Sequence, residues 1–229
     1  GPLEAKGAGG SCCLIVRQLG ALMGSQDALV RGGIKAAVKT MQEGERDAEV
    51  QEQACHQLVS LLKDSADPRK VKAAIVQEGG IEAITSGMNR HMNEFQMPEA
   101  GCRALSKLSE DSPEVKEELT EKGGIDIVLR VMLRYPGEYE VQESGTNILA
   151  NIADKATADR RDVIATKGAA QVVMSAMLNH ERLKSLGTKV LAAMDPHEVR
   201  VARETLCKEK GADRVEKPLQ DIQNEVSQL

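Results

Sequence analysis

"EGGIEAITSGMNRHM" spans residues 78–92, and nearly the same pattern returns as "KGGIDIVLRVMLRYP" at 122–136 and, in a weaker form, as "KGAAQVVMSAMLNHE" at 167–181. A pattern that recurs at a steady interval is typical of a protein built from structural repeats. With an earlier copy included, the last small residues before the recurring phrase are Gly33, Gly80, Gly124 and Ala169. They are separated by 47, 44 and 45 residues, which sets the length of one repeat.

Apolar residues stand one, four and eight positions after each of these small residues. The four sets are Ile34, Ala37 and Met41; Ile81, Ile84 and Met88; Ile125, Val128 and Met132; and Ala170, Val173 and Met177. These offsets fall on one face of a helix. Each phrase therefore predicts an amphipathic helix with one buried stripe.

The glycine pairs predict sharp turns between this helix and the short apolar segment before it. Glycine adopts the left-handed conformation at a helix C-terminus without a steric cost. We expect turns at the pairs that end at Gly33, Gly80 and Gly124, and a side chain at Gly124 to oppose the left-handed backbone. A phosphate-binding loop is excluded, because no strand precedes the pairs and no Lys-Ser/Thr follows them at the required spacing.

A second row of small residues runs in step with the first: Cys12, Ala54, Gly101, Gly145 and Gly187. Apolar residues follow each of them four and seven positions later, which predicts a third, longer helix in every repeat. Glycine inside a helix costs about 1 kcal/mol relative to alanine. Its repeated use at one position predicts that neighbouring helices cross closely there.

This three-helix unit, with "GGI" at the turn and the small residue in the last helix, resembles the armadillo repeat of the β-catenin and importin-α superfamily over about residues 11–212. HEAT repeats have similar lengths, but the three helices and the glycine turns favour armadillo. The resemblance implies an all-α protein, a right-handed α-solenoid of armadillo-type three-helix repeats without a sheet. Such a fold usually serves as a binding module for another protein.

The repeats divide the chain into seven segments. We expect a disordered tag or linker at 1–10, a partial N-terminal repeat (its last helix) at 11–24, full repeats at 25–64, 65–110, 111–154 and 155–194, and a C-terminal partial or capping repeat at 195–229. In the last segment Gly211 keeps the turn. Pro218 suits the first turn of a helix whose apolar stripe would be Leu219, Ile222, Val226 and Leu229.

Composition agrees with helices packed on helices. The chain is 41% apolar but has no Trp, one Phe and two Tyr, and its net charge of −5 gives no argument for nucleic acid. No run of eighteen apolar residues and no secretory signal occur, so we expect a cytoplasmic, reducing location. The five cysteines, Cys12, Cys13, Cys55, Cys102 and Cys207, form no CxxC pair and are expected to be buried thiols, without a metal.

No catalytic pattern is found. The histidines His56, His91, His180 and His197 are scattered over different repeats, and HExxH, GxSxG and P-loop motifs are absent. We therefore expect no enzyme activity, no cofactor and no small-molecule substrate.

The resemblance also implies which residues face a concave groove, namely those two and six positions after the small residue of each third helix. The two rows are Leu14, His56, Arg103, Asn147 and Lys189, and Gln18, Ser60, Lys107, Asn151 and Ala193. No Trp stands where importin-α carries it, so recognition of a basic nuclear-localisation peptide should not be carried over. The candidate partner-binding residues are His56, Ser60, Arg103, Lys107, Asn147, Asn151 and Lys189.

Asn151, in "GTNILANIAD", matches the asparagine of the family, and Asn147 lies one turn before it. Their two amides could pair with the backbone of an extended chain. Arg103, Lys107 and Lys189 make this region locally basic, which predicts an acidic or phosphorylated partner segment. The alternative that these are solvated surface residues beside an apolar stripe stays open.

Two other functions are compatible with the sequence. Cys12 and Cys13 could be acylated and tether an adaptor to a membrane, although Ile15 stands where acylation at Gly10 would require Ser or Thr, and Cys12 fits the small-residue row. A scaffold could instead use the convex face or self-associate through incomplete terminal repeats.

Overall fold

The computed structural model describes residues 27–154, 163–164 and 167–227, and no β-strand occurs among them. The expected all-helical class is confirmed, whereas the predicted segments 1–10 and 11–24, with Cys12 and Cys13, lie outside the described residues. The α-helices are α1 (27–43), α2 (Ala48–Lys63), α3 (Pro68–Gln77), α4 (Gly80–Arg90), α5 (Gln96–Ser109), α6 (Pro113–Glu121), α7 (Gly124–Arg134), α8 (Tyr139–Ala153), α9 (Ala169–Asn179), α10 (Lys184–Ala192), α11 (Pro196–Lys210) and α12 (Ala212–Val226). A short 3-10 helix, Glu181–Leu183, precedes α10.

Three of the helices begin at the same kind of signal, a short polar residue followed by proline. Proline fits the first helical position because the N–H that it lacks would have no partner within the helix. The polar side chain before it accepts a hydrogen bond from a backbone N–H of the first turn. The pairs are Asp67 and Pro68 at α3, Ser112 and Pro113 at α6, and Asp195 and Pro196 at α11.

The expected left-handed turns form at two of the glycine pairs, in each case at the first glycine, and also at Gly168, which precedes Ala169. The φ angles are +75° at Gly79, +73° at Gly123 and +74° at Gly168. The interpretation of Gly124 was therefore wrong, since this residue begins α7. Its constraint is crowding, because a Cβ there would lie 2.6 Å from Cδ2 of the buried Leu119.

The turn expected at Gly33 does not form, since the chain is helical from 27 to 43. Glycine permits a left-handed turn but does not enforce one. At the other turns a fully buried side chain five residues before the helix, Ile75 or Leu119, anchors the preceding helix in the core. The corresponding residue before Gly33 is Ala28, which is exposed and so gives no such anchor.

The predicted close crossing of neighbouring helices is confirmed at Gly101, Gly145 and Gly187, where the second and third helices of a repeat meet. The small glycine of the third helix faces the methionine that stands eight positions into the second helix. A Cβ on Gly101 would lie 2.4 Å from Met88 Cγ, on Gly145 2.5 Å from Met132 Sδ, and on Gly187 2.4 Å from Met177 Sδ. Real Cβ atoms do not approach their neighbours so closely, so the crossings require glycine.

Equivalent helices of successive repeats pack against each other, third helix on third helix and second helix on second helix. Helix α2 contacts α5, α5 contacts α8 and α8 contacts α10, while α4 contacts α7 and α7 contacts α9. Side chains link the same rows: Arg90 binds Glu45 and Lys167 binds Asp126, 45 and 41 residues earlier, both at 2.8 Å. The contacts therefore recur at about the interval of the sequence pattern.

Two buried glutamines hold the ends of neighbouring helices. Both stand three residues before the small residue of a third helix, a pattern that sequence reasoning missed. Gln142 Nε2 donates to the Met132 and Tyr135 carbonyl oxygens (2.7 and 2.9 Å), and Gln51 Nε2 donates to those of Met41 and Gly44 (2.6 and 3.0 Å). The bonds to Met132 and Met41 satisfy carbonyl groups in the last turn of a helix, and the bonds to Tyr135 and Gly44 add a second donor to carbonyls of the loop that follows.

The C-terminal helix α12 packs against α9, α10 and α11. Gly211 keeps a positive φ of +86° as expected, but α12 begins directly after it, which places Pro218 inside the helix and not in its first turn. The proline lies on the exposed side, where water can reach the carbonyl that loses its N–H partner. Leu219 and Ile222 of the predicted stripe are buried and Val226 is half-buried, while Leu229 lies outside the described residues.

The left-handed turn before α7 can be tested with Gly123→Ala. No non-neighbouring atom lies closer than 3.9 Å to the site of the new Cβ, so the cost arises from the backbone conformation. We expect the free energy of unfolding to fall by about 1 to 2 kcal/mol, measured by urea denaturation. Gly137→Ala is the control, because this loop glycine has open space and no positive φ. Equal stability of the two variants would contradict the assignment.

The buried amide of Gln142 can be tested with Gln142→Leu, which keeps most of the side-chain volume but removes the donor. The Met132 carbonyl would then lose the Gln142 hydrogen bond, and the Tyr135 carbonyl would keep only the one from the Glu138 backbone N–H. We expect a loss of about 1 to 3 kcal/mol in unfolding free energy. Gln171→Leu serves as the comparison, because its amide bonds the exposed Glu209 side chain at 2.9 Å. That variant should change stability by less than about 0.5 kcal/mol.

Candidate functional site

The seven predicted partner-binding residues lie on α2, α5, α8 and α10, which pack side by side. They occupy equal offsets from the buried small residues of these helices, so they share one side, here called the third-helix face. Its members are His56, Ser60, Arg103, Lys107, Asn147, Asn151 and Lys189. Both asparagines are half-buried and the other five residues are exposed.

A row of glutamates, missed in the sequence, runs beside these residues. Glu52, Glu99 and Glu143 each stand two residues before the small residue of a third helix and are separated by 47 and 44 residues, the spacing of the repeats. The periodicity would have revealed them. Sequence reasoning followed only the positions after the small residue, so the acidic row was overlooked.

The glutamates are bound within their own helices. Glu52 lies 3.6 Å from His56 Nε2, and Glu99 forms an ion pair with Arg103. Glu143 accepts a hydrogen bond from the Tyr139 hydroxyl at 2.8 Å, which raises the pKa of that tyrosine. The charge of Arg103 is thus compensated inside the protein, so this residue offers less to a partner than the sequence predicted.

The two asparagines differ in whether their side-chain amides already form hydrogen bonds within the protein. The Asn151 amide nitrogen donates to the Ser106 carbonyl oxygen at 3.3 Å and to the Ser109 hydroxyl at 3.0 Å, and so joins α8 to α5. Asn147 forms no hydrogen bond with any residue that the structure describes. Asn151 is therefore a link between helices, and Asn147 is the amide that remains available.

Lys107 and Lys189 are the uncompensated cations of the third-helix face. Both are exposed, and neither forms an ion pair within residues 27–154, 163–164 and 167–227. They lie on α5 and α10, the two helices that pack against either side of α8 and hence of Asn147. The arrangement places one available amide between two available positive charges.

Two of the four histidines, His91 and His180, follow the repeat together with a tyrosine, Tyr135. His91, Tyr135 and His180 each stand eleven residues after the small residue that opens a second helix. Each contacts a backbone carbonyl oxygen of the preceding repeat. His91 Nε2 lies 2.9 Å from the Glu45 oxygen, the Tyr135 hydroxyl donates to the Met92 oxygen at 2.8 Å, and His180 Nε2 lies 3.0 Å from the Pro136 oxygen. We call these three residues the ring row. They join neighbouring loops and do not converge on one site.

Two of the described thiols, Cys55 and Cys102, are unsuited to nucleophilic chemistry at neutral pH. Burial, with a smaller contribution from Glu52, raises the pKa of Cys55 to about 12, and burial likewise raises the pKa of Cys102 to about 12. The nucleophile is the thiolate, which is scarce at such values. Cys55, Cys102 and the half-buried Cys207 are all free thiols.

Among the described residues, no three or more His, Cys, Asp and Glu side chains are grouped so that they could hold a metal ion. In the same part of the chain, no helix combines the length and apolar character that a membrane span requires. Neither a protein-family model, nor a curated protein, nor a solved structure matches this chain. The function must therefore be argued from the third-helix face itself.

The distinction between the two asparagines can be tested by alanine substitution. Asn151→Ala removes a bridge between α8 and α5, so we expect the unfolding free energy to fall by about 1 kcal/mol. Asn147→Ala removes no intramolecular hydrogen bond and should change stability by less than about 0.5 kcal/mol. Chemical denaturation of both variants measures the difference. A larger loss in Asn147→Ala than in Asn151→Ala would refute the assignment.

Proposed function

We propose that the chain is a right-handed α-solenoid of armadillo-type repeats that acts as a non-enzymatic protein interaction module. Its third-helix face would bind an extended segment of a partner protein. Two features support the solenoid: helices of one kind pack in series, and left-handed glycines recur at Gly79, Gly123 and Gly168 before second helices. Because each repeat contacts mainly its neighbours, the same face can extend along the whole series.

The observation that carries this proposal is the unpartnered amide of Asn147 at the middle of the third-helix face. An extended chain presents unpaired backbone N–H and C=O groups, and an asparagine side chain offers both a donor and an acceptor to them. Asn151, whose amide donors are already bound to α5, retains only its carbonyl oxygen for a partner. The partner backbone would therefore be held chiefly at Asn147.

Charge selects the class of partner. Lys107 and Lys189 have no compensating carboxylate, so an acidic or phosphorylated segment is the complementary partner. Glu143, which forms no ion pair among the described residues, stands four residues before Asn147 and would repel such a segment. The path of the partner segment is thereby restricted to the positions that carry Lys107, Asn147 and Lys189.

The proposal is tested by fluorescence anisotropy with labelled extended peptides of three kinds: glutamate-rich, phosphoserine-containing and uncharged. We expect the two anionic peptides to bind, with an affinity that decreases as salt increases. Each exposed charge contact contributes about 0.2 to 1 kcal/mol, so Lys107→Glu/Lys189→Glu should weaken binding clearly while single changes remain mild. Asn147→Ala should weaken binding of both anionic peptides, because it leaves backbone groups of the peptide without a partner.

The control is Lys39→Glu, which makes the charge change of one of these two substitutions at an exposed position of α1, a helix that carries no residue of the third-helix face. Circular dichroism confirms that each variant is folded. If Lys107→Glu/Lys189→Glu and Asn147→Ala bound the peptides as the unchanged protein does, the third-helix face would not be the binding site.

The scaffold alternative would use an end of the series or its convex face. At the C-terminal end, the outer side of α12 carries polar residues, among them Arg214, Lys217 and Asp221, which are exposed. A polar outer side is the property of a capping repeat and does not favour apolar stacking of a second copy there. The membrane-tether alternative rests on Cys12 and Cys13, outside the described residues, and stays a prediction.

A further inference from the structure

Two acceptors on α5 hold the side-chain amide of Asn151. Its nitrogen Nδ2 donates to the Ser109 hydroxyl at 3.0 Å and to the Ser106 carbonyl oxygen at 3.3 Å. The Ser109 hydroxyl donates its own proton to the same Ser106 carbonyl oxygen, 3.1 Å away. The hydroxyl therefore faces Asn151 as an acceptor, as the carbonyl does. Both donors of the Asn151 side chain are carried by its nitrogen, so both are directed at α5.

This arrangement fixes the orientation of the Asn151 amide. If the amide turned over, its oxygen would face the Ser106 carbonyl oxygen, and two acceptors would repel each other. In the observed orientation the oxygen Oδ1 forms no hydrogen bond with a described residue. It is also not one of the buried oxygens without a partner, which in the described part of the chain are Glu198 Oε2 and Gln223 Oε1. Asn151 is half-buried, so Oδ1 stays accessible at the third-helix face.

The hydroxyl of Ser109 is not a requirement of the repeat itself. Ser109 is fully buried and stands eight positions after the small residue of α5. The equivalent residues of α2 and α8 are Leu62 and Ala153, which are buried and apolar. Of these three helices, only the one that Asn151 contacts carries a hydroxyl at this position.

We propose that Ser109 is a positioning residue of the third-helix face. It holds Asn151 with the amide nitrogen on α5 and the oxygen toward the partner, so the partner segment must offer a backbone N–H at this position. The inference rests on the proposed function and specifies a feature of the segment that the face accepts. A proline at that position of the segment is excluded, because proline has no backbone N–H.

Asn147, one turn before Asn151, imposes no such requirement. Its amide forms no hydrogen bond with any described residue, so it can turn either its oxygen or its nitrogen toward the partner. A backbone N–H and a backbone carbonyl are therefore both suitable beside Asn147, whereas only a donor is suitable beside Asn151. The anionic side chains of the segment are acceptors, so they are directed away from Asn151 and toward Lys107 and Lys189.

The first experiment measures the orientation of Asn151 without a partner. The exchange of side-chain amide protons with water is followed by NMR in the full chain, and Asn147→Ala and Asn151→Ala assign the resonances. Asn147 is the matched comparison, since it is the same residue type on the same helix. We expect exchange to be about tenfold slower at Asn151 than at Asn147, because two hydrogen bonds protect the Asn151 protons. Equal rates would overturn the proposal.

Removal of the hydroxyl tests whether Ser109 is responsible. In Ser109→Ala we expect the exchange at Asn151 to become faster, toward the rate of Asn147. Thr85→Val is the control, because it removes a buried hydroxyl on α4 that donates to the Ile81 carbonyl oxygen at 2.9 Å. It should leave the exchange at Asn151 unchanged. If Ser109→Ala does not fold, Ser109→Cys replaces it, since a thiol is a weak acceptor. Unchanged slow exchange in the folded variant would overturn the role of Ser109.

The second experiment tests the N–H requirement with whichever of the glutamate-rich and phosphoserine peptides binds the unchanged protein more tightly. Each backbone amide of the peptide is replaced in turn by an ester, which exchanges the N–H for an oxygen. We expect one position at which the ester weakens binding by about tenfold, because the ester oxygen then meets Asn151 Oδ1. A double-mutant cycle isolates this contact. The ester penalty should vanish in Asn151→Ala, shrink in Ser109→Ala and persist in Thr85→Val.

The outcomes separate this inference from the proposed function. Peptide binding without any ester-sensitive position, or with a penalty that persists in Asn151→Ala, would overturn the N–H requirement while the peptide-binding face stands. Slow exchange at Asn151 without binding of any peptide would contradict the proposed function and overturn the N–H requirement with it. Ser109 would then only orient Asn151 within the fold.

Discussion

The fold depends on the contact between a glycine of one helix and a methionine of the helix before it. Because a Cβ on Gly145 would lie only 2.5 Å from Met132 Sδ, the two helices approach more closely than any larger residue would allow. The contact also fixes the rotation of the third helix about its own axis. Once the glycine faces inward, the positions two and six residues later must face outward, so the same contact that closes the core determines which side chains a partner can reach.

Side chains on the exposed side fall into two groups that surface exposure alone does not distinguish. Arg103 and Asn151 are already bound to other groups of the protein, whereas Asn147, Lys107 and Lys189 have no such bonds. A partner that engages a bound group must first break an existing interaction, which reduces the net gain in free energy. Groups without an intramolecular partner therefore determine both the affinity and the chemical class of a ligand.

Periodicity predicted much of this structure, because residues at equal offsets in successive repeats meet equivalent surroundings. The helical class, the inward methionines and the close crossings at Gly101 and Gly145 followed from spacing alone. It did not predict which glycine of a pair is left-handed, since either can adopt that conformation. It also did not predict that Gly33 stays helical, because the exposure of Ala28, five residues before it, was not known from the spacing. The hydrogen bond from Asn151 to Ser109 depends on how far α8 is displaced along α5, a quantity that no single repeat encodes.

The ring row has a mechanical consequence. His91, Tyr135 and His180 each reach one backbone carbonyl of the preceding loop, and a neighbouring side chain adds a second polar contact there: Arg90 to Glu45, Arg134 to Asn93 and Asn179 to Pro136. None of these contacts spans two joints. Opening one joint leaves the neighbouring contacts intact. We expect that loss of one ring-row side chain weakens the packing at one joint and leaves the packing at the other joints unchanged.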